Sequence, residues 1–332
     1  SRLCYNPHTF VTPSPKRMKR MSRYQLILNP LAGKGAAAEA IPEIEAAFRR
    51  LGLEYDIALT EHPFHAAELA QNAVEAGCEI LVAVGGDGTA NEVLNGIMLA
   101  RQVGANGVKF GVLPIGRGND FAFSMGIPTE FEAACQNLAA AEAYPIDAGF
   151  IKGGLYPQGR YFCNGVGIGF DAVVGFVAAE SRLTGFIAYL VAALKTMFLY
   201  FKAPTIEIQL DDETITQPCL MVSIMNGRRM GGGFFMAPQS ARDDGKFDLC
   251  IAAQVGRIRM LDLIGKITKG AQINDPAIKM RRTARITAKA VAGSLPAHAD
   301  GETICTQGDV LELSIVPNAI QLICPPQPPA LV

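Results

Sequence analysis

From Tyr24 onward, short apolar runs alternate with stretches whose apolar residues recur every three or four positions. The pattern predicts strands at Tyr24–Leu28, Glu54–Leu59, Glu79–Val84 and Val108–Leu113, separated by helices at Gly35–Leu51, Pro63–Ala76 and Thr89–Arg101. Strands that alternate with helices build a parallel sheet with covered faces, and ligands of such sheets sit beyond the carboxyl ends of the strands. The loops beginning at Asn29, Thr60, Gly85 and Pro114 are therefore expected around one crevice.

After Pro145 the period shortens. Alternating runs at Thr205–Leu210, Pro218–Met225, Lys246–Ile251, Arg285–Lys289 and Asp309–Val316 are bounded by turn residues and predict a mainly antiparallel second domain. Two helical stretches, Asp171–Glu180 and Gly185–Phe201, interrupt it. The expected division is an α/β domain over 22–145 and a β domain over 146–317. Residues 1–21, with Pro7, Pro13, Pro15 and the basic Lys16, Arg17, Lys19 and Arg20, lack an apolar period and are expected to be a flexible leader or an expression remnant.

Composition sharpens this picture. Of 332 residues, 49% are hydrophobic and 18% charged, the latter below the usual quarter or so, which excludes disorder as the main state. The balance of 30 Lys+Arg against 31 Asp+Glu argues against a surface built to coat nucleic acid. The longest apolar stretch, Phe186–Phe201, contains Lys195 and falls short of a membrane-spanning helix, so no transmembrane segment is expected. Eight cysteines without CxxC spacing read as reduced, buried thiols of a cytoplasmic protein.

The chemistry concentrates in the Gly-rich loops. Gly85-Gly86-Asp87-Gly88-Thr89, followed by Ala90, Asn91 and Glu92, stands between a buried strand and a helix. Its glycines let backbone N–H groups approach an anion, and the helix aims its positive end at the same point. Phosphate fits there; a tight turn capped by Thr89 is the bland alternative. Asp87 beside a phosphate implies a bridging Mg²⁺ or an orienting hydrogen-bond network. Asn29-Pro30-Leu31-Ala32-Gly33-Lys34-Gly35 is a second such loop, without P-loop spacing. In a third, Gly116-Arg117-Gly118-Asn119-Asp120, Arg117 is a phosphate candidate, and Asp120 could join Asp87 at a metal. Gly167-Ile168-Gly169-Phe170-Asp171-Ala172 satisfies GxGxxA but lacks the later acidic residue of a dinucleotide site, so it reads as packing. The Asp243-Asp244-Gly245 turn is either solvated or a hard-cation site, and the Asp300-Gly301 turn would put Glu302 at the start of a strand as a candidate proton acceptor. His8, His62, His65 and His298 show no metal-ligand spacing.

Together these motifs, with Asn119-Asp120-Phe121-Ala122, Gly231-Gly232-Gly233 and Asp300-Gly301-Glu302 in order along Arg23–Cys324, resemble the diacylglycerol/sphingosine kinase catalytic family and most closely its bacterial soluble lipid kinases. The resemblance implies a three-layer α/β nucleotide-binding domain, a C-terminal β-sandwich and an active cleft between them, with the last strand, within 318–325, returning to the first domain. It implies ATP against Asn29, Pro30, Leu31, Ala32, Gly33, Thr60, Gly85, Gly86, Asp87, Gly88, Thr89, Ala90, Asn91 and Arg117. Position 117 departs from relatives that carry a small hydroxylated residue. Glu302 would match the family's general base, and a second-domain Mg²⁺ would be held by Asp244 and carbonyls near Ala241 and Lys246; for phosphoryl transfer, Asp87, Asp120 and Glu302 are the candidates for holding the neutralising Mg²⁺ and for the base. The implied acceptor is a diacylglycerol-like lipid met peripherally at the inner membrane face, with Phe186, Tyr189, Phe198, Tyr200, Phe234, Phe235 and Met236 forming either its apolar wall or plain core. Homodimerisation through the second domain is a further implication. The competing readings are an NAD kinase, a sugar phosphate kinase, and a nucleotide-binding protein that has lost catalysis.

Overall fold

The computed structural model describes residues 23–327 apart from 180, 182, 184 and 200–202. The leader expected over 1–21 and the wall residue Tyr200 lie outside the described residues. The first domain runs β1 (Tyr24–Leu28), α1 (Ala36–Glu39), α2 (Ile41–Arg50), β2 (Tyr55–Leu59), α3 (His65–Glu75), β3 (Ile80–Gly85), α4 (Asp87–Gln102), β4 (Lys109–Pro114), α5 (Asp120–Met125) and α6 (Phe131–Ala140). The second begins with β5 (Ala143–Gly153), β6 (Tyr156–Phe162), β7 (Gly165–Gly169), α7 (Phe170–Ala179), α8 (Gly185–Leu199), β8 (Thr205–Gln209), β9 (Thr214–Met225) and β10 (Phe247–Ala253). It ends with α9 (Arg257–Ile267), β11 (Ile278–Thr283), β12 (Arg285–Ala292), β13 (Leu295–Ala299), β14 (Glu302–Gly308) and β15 (Val310–Ile323).

The first four strands pair in parallel in the order β2-β1-β3-β4. Because successive side chains of a strand face opposite ways, Ile27, Leu81, Ala83, Phe110 and Val112 enter the core under α3, α4 and α5. Tyr24, Leu26, Leu28, Val82 and Val84 enter the core under α2 and α6. The result is three layers. The helix expected over Gly35–Leu51 is divided at Ala40. Pro42 has no N–H to donate and sits in the first turn of α2, which is where a proline is tolerated and where a continuous helix is not.

In the second domain, antiparallel strands enclose a core of Phe162, Ile168, Val222, Phe247, Ile286 and Leu313. β9 belongs to both of its sheets, pairing with β8 through Thr214–Pro218 and with β7 through Met221–Met225. β15 links the domains. Its first residues pair antiparallel with β12 and β5, and Gln321 and Leu322 then pair parallel with Lys109 and Phe110 of β4. A third apolar cluster lies where α7, α8 and α9 cover β9 and β10.

Helix α4, whose first turn enters the cleft, is set in place by Gly96: a Cβ there would overlap the Ala67 carbonyl oxygen and lie 2.6 Å from the Ala70 Cβ. Gly96→Ala gains about 1 kcal/mol of helix propensity, but α3 cannot retreat without leaving the sheet, and overpacking costs about 1–3 kcal/mol or more. The expected net effect is a loss of about 1–2 kcal/mol, read as a lower urea midpoint.

Candidate active site

A cavity of about 500 Å³ opens where the parallel strands end and the second domain faces them. Its polar end is built from backbone. Gly86, extended, precedes Asp87, the first residue of α4, so the free N–H groups of that helix point into the cavity. A Cβ on Gly116 would overlap the Gly86 Cα, so two Gly-rich loops lie in backbone contact there. Thr89 does not cap the helix; its hydroxyl packs on Gly85 and accepts a bond from Asn29 Nδ2 at 3.4 Å.

Two carboxylates share the floor. Asp87 Oδ1 accepts the Phe121 N–H at 2.8 Å, and Asp120 Oδ2 accepts the Gly232 N–H at 2.8 Å. Gly118 lies against both: a Cβ there would be 3.1 Å from Asp87 Oδ2 and 3.4 Å from Asp120 Oδ2. Burial, then the charge of Asp87, pushes the Asp120 carboxyl up to about 7, against the pull of Gly232 and Arg229. Burial also raises Asp87, with Asp300 adding to it and the Phe121 and Asp120 N–H groups opposing it. Arg229 Nε stands 2.9 Å from Asp120 Oδ1, its Nη2 donates to the Gly118 carbonyl, and its guanidinium lies 3.8 Å from the Phe123 ring centre. Two acids that both approach Gly118, with a single arginine beside them, suit a divalent cation.

The second domain supplies the opposite wall. Asp300, at a φ of 48°, accepts the N–H groups of Cys163 (2.6 Å), Asn164 (3.0 Å) and Gly165 (2.9 Å) and the Asn91 amide (2.8 Å). Asn91 in turn accepts from Arg160 Nη2 at 2.7 Å. Two residues beyond Asp300, Glu302 starts β14 and faces the GGDG loop, its Oε1 3.6 Å from where a Gly88 Cβ would stand. Glu92, on α4 of the first domain, also lines the cavity; it accepts the Phe64 and Ala66 N–H groups, closing the start of α3, and burial raises its carboxyl, with Glu302 adding to the shift.

The structure brings Asn29, Leu31, Ala32, Gly33, Gly86, Asp87, Gly88, Thr89, Arg117, Asp120 and Glu302 onto one cavity. Pro30, Thr60, Gly85, Ala90 and Asn91 do not line it. Gly85 and Ala90 are buried beneath the loop, Thr60 donates its N–H to Leu28, and Asn91 works from behind through Asp300. Ala241, Asp244 and Lys246 lie away from the cavity. Both Asp244 oxygens are engaged there, one by the Lys246 N–H and one by Arg282, so a cation at that turn would have to displace Arg282. The GxGxxA segment packs as expected, as β7 entering α7, but Asp171 within it lines the cavity beside His298. Sequence reading passed over Arg229 as well, although an arginine pair preceding Gly231-Gly232-Gly233 is a visible signal for an anion or carboxylate partner. Elsewhere, ligand atoms of His62, His65 and Glu68 come within 4.8 Å of one another, but the imidazoles are stacked and His65 Nδ1 is taken by the Glu61 N–H.

Two outcomes follow. Asp300→Ala strands three buried N–H groups and an amide, at about 1–3 kcal/mol per unsatisfied donor, so urea unfolding should show a loss of at least about 3 kcal/mol. For Asp120, the folded chain keeps a proton up to about 7 that the unfolded chain releases near 4. Its contribution is fully present below the unfolded value and is lost as pH rises through the folded one. Asp120→Asn should therefore raise the Tm of the ligand-free protein at pH 8 by roughly 3 °C, a gain that vanishes at pH 4 in calorimetry.

The diacylglycerol kinase catalytic domain matches residues 23–151, and the YegS C-terminal NAD kinase beta sandwich-like domain matches 164–324. A probable YegS-like lipid kinase of Pseudomonas aeruginosa (strain UCBPP-PA14) is 32% identical over 92% of this chain and 96% of its own. A diacylglycerol kinase of Bacillus subtilis (strain 168) is 27% identical over 85% and 90%. The fold is that of a diacylglycerol kinase crystal structure from Bacillus anthracis str. Sterne, with a TM-score of 0.68, 20% identity and coverage of 95% of this chain and 100% of that one. The chain belongs to the YegS-like and diacylglycerol kinase family of lipid kinases.

Proposed function

We propose that this protein is a Mg²⁺-dependent kinase that transfers the γ-phosphoryl group of ATP to a hydroxyl of a diacylglycerol-like lipid at the cytoplasmic face of a membrane. The observation that carries the reading is the continuity of the cavity. The same space that begins at Gly86, Asp87, Asp120 and Glu302 continues between α7, α8 and α9 along Phe170, Val174, Ala193, Met221 and Phe234. A polar end suited to phosphate thus meets an apolar arm suited to acyl chains. The seven described cysteines are free and buried, which fits a reducing compartment.

Asn29, Gly33, Gly86, Gly88 and Thr89 would hold the phosphates, with Arg117, exposed at the rim, adding a charge-assisted contact. Asp87 and Asp120 would hold Mg²⁺, which when bound neutralises phosphate charge. Glu302 takes the proton of the acceptor hydroxyl as its oxygen bonds to the γ-phosphorus and the bond to the departing ADP oxygen breaks. Held on a hairpin tied down at Asp300, Glu302 needs little reorganisation to do so.

The test offers labelled ATP with diacylglycerol, phosphatidylglycerol, a sphingoid base and NAD in parallel. A phosphorylated lipid is expected, and Glu302→Gln should lower its formation by about 10²–10⁴-fold with ATP affinity unchanged in calorimetry. Phosphorylation of NAD alone overturns the acceptor assignment, and near-normal turnover of the variant removes Glu302 from the mechanism.

A further inference from the structure

Helix α8 carries one charged residue, Lys195, among mostly apolar ones, yet only part of it is enclosed. Ala188, Ala192, Ala193 and Met197 are buried, Tyr189 is half-buried, and Ala188, Tyr189 and Ala193 line the apolar arm of the cavity. On the opposite side, Ile187, Val191, Leu194 and Phe198 follow the i, i+4, i+7, i+11 spacing of a single helical stripe. They are 62%, 45%, 38% and 66% exposed. The start of α9 extends this surface with Ile258, 87% exposed, and Leu261, 45% exposed. Arg257 joins the two helices, its guanidinium 5.8 Å from the Phe198 ring centre, and Lys195 lies exposed at the edge of the stripe.

We propose that this α8–α9 face is a bilayer-docking surface, with the Ile187, Val191, Leu194 and Phe198 stripe immersed at the headgroup and acyl boundary and Lys195 and Arg257 at the level of anionic headgroups. Rows of apolar side chains flanked by basic ones are the composition of interfacial helices. At 15 residues α8 is about 22 Å long, short of the roughly 30 Å hydrocarbon core, and no described helix is long and apolar enough to cross a membrane. The helix therefore lies along the surface. A bilayer is favoured over a second copy of the chain because the stripe is the outer side of the helix whose inner side walls the cavity. A two-chain lipid does not leave a bilayer readily, and docking through this face brings the apolar arm to within one helix diameter of it. The inference rests on the lipid-kinase reading for its purpose, but its test does not require turnover.

The chain contains no tryptophan, so Phe198→Trp places a lone fluorophore on the stripe, and Val103→Trp, at an exposed position just past α4, serves as the control. With vesicles of phosphatidylcholine and phosphatidylglycerol, emission from position 198 should shift to the blue and that from position 103 should not. The double variant Ile187→Glu, Val191→Glu alters exposed side chains and should keep the circular dichroism and Tm of the parent. Its vesicle partition in flotation should fall by at least about tenfold, with turnover on a water-soluble short-chain diacylglycerol retained. Unchanged emission at 198, or equal flotation of parent and double variant, overturns the docking surface. So does a parent that ignores vesicles but sediments as a dimer that the double variant splits. Vesicle binding without phosphorylation of any acceptor leaves the surface standing and defeats the kinase reading instead.

Discussion

The arrangement of the cleft depends on one buried carboxylate. Asp300 receives four donors, three of them consecutive backbone N–H groups at Cys163, Asn164 and Gly165 and the fourth the amide of Asn91 on α4. Charge-assisted bonds of this kind are short and about twice as strong as neutral ones, and none of the donors has water to fall back on. The hairpin carrying Glu302 is thereby fixed both to the strand that enters α7 and to the helix that begins at Asp87. A second carboxylate plays the same part at the rear of the junction, where buried Asp147 accepts the N–H groups of Gly245 (2.7 Å) and Asn318 (2.8 Å). With a carboxylate at each end of the junction, the distance between Glu302 and the GGDG loop is a property of the fold.

Within that fixed frame, Asp87 and Asp120 are poorly accommodated. Burial raises both carboxyls; the charge of Asp87 adds to the cost of ionising Asp120 and that of Asp300 to the cost of ionising Asp87, and Arg229 offsets this for Asp120 more than for Asp87. A fold selected for stability alone would replace one of them with an amide, since like charges held together in a desolvated floor destabilise it. Keeping both makes sense where a cation completes the group. The closeness of Gly118 to both oxygens serves the same end, because a side chain there would shield them.

Much of the first domain was legible in sequence because its elements are long, strongly periodic and close to their turns: all four predicted strands formed within two residues of their expected ends. The apolar period runs through Ala40 and predicts one helix over Gly35–Leu51, whereas Pro42 in the first turn of α2 divides it. The Gly-rich loops identified the polar end of the cavity through local backbone chemistry. What sequence could not supply were partners brought together over long separations. Asn91 stands in the middle of the Gly-loop motif and was read as a nucleotide contact, whereas Asp300 and Arg160, 209 and 69 residues away, draw it behind the loop. Asp300 was read as a turn former, and its positive φ agrees, but nothing local reveals that its carboxylate reaches β7. Arg229 and His298 belong to the same class.

The apolar stretch from Phe186 posed a question that periodicity is unable to decide: core, ligand wall and membrane contact all call for the same residue types. In the folded chain α8 serves as core through Ala192 and Met197, as cavity wall through Ala188, Tyr189 and Ala193, and as exposed surface through Ile187, Val191, Leu194 and Phe198. An ordinary amphipathic helix would carry charge on the third side, whereas here only Lys195, at the edge of the stripe, is charged. Solubility alone would favour replacing those four side chains, because exposed apolar rows invite association. Their presence on the outer side of a cavity wall is what the proposed docking would require: for an acceptor whose solvent is the bilayer, a face that prefers that solvent would orient the molecule, and the hydrogen-bonded junction at Asp300 and Asp147 would carry that orientation through to Glu302.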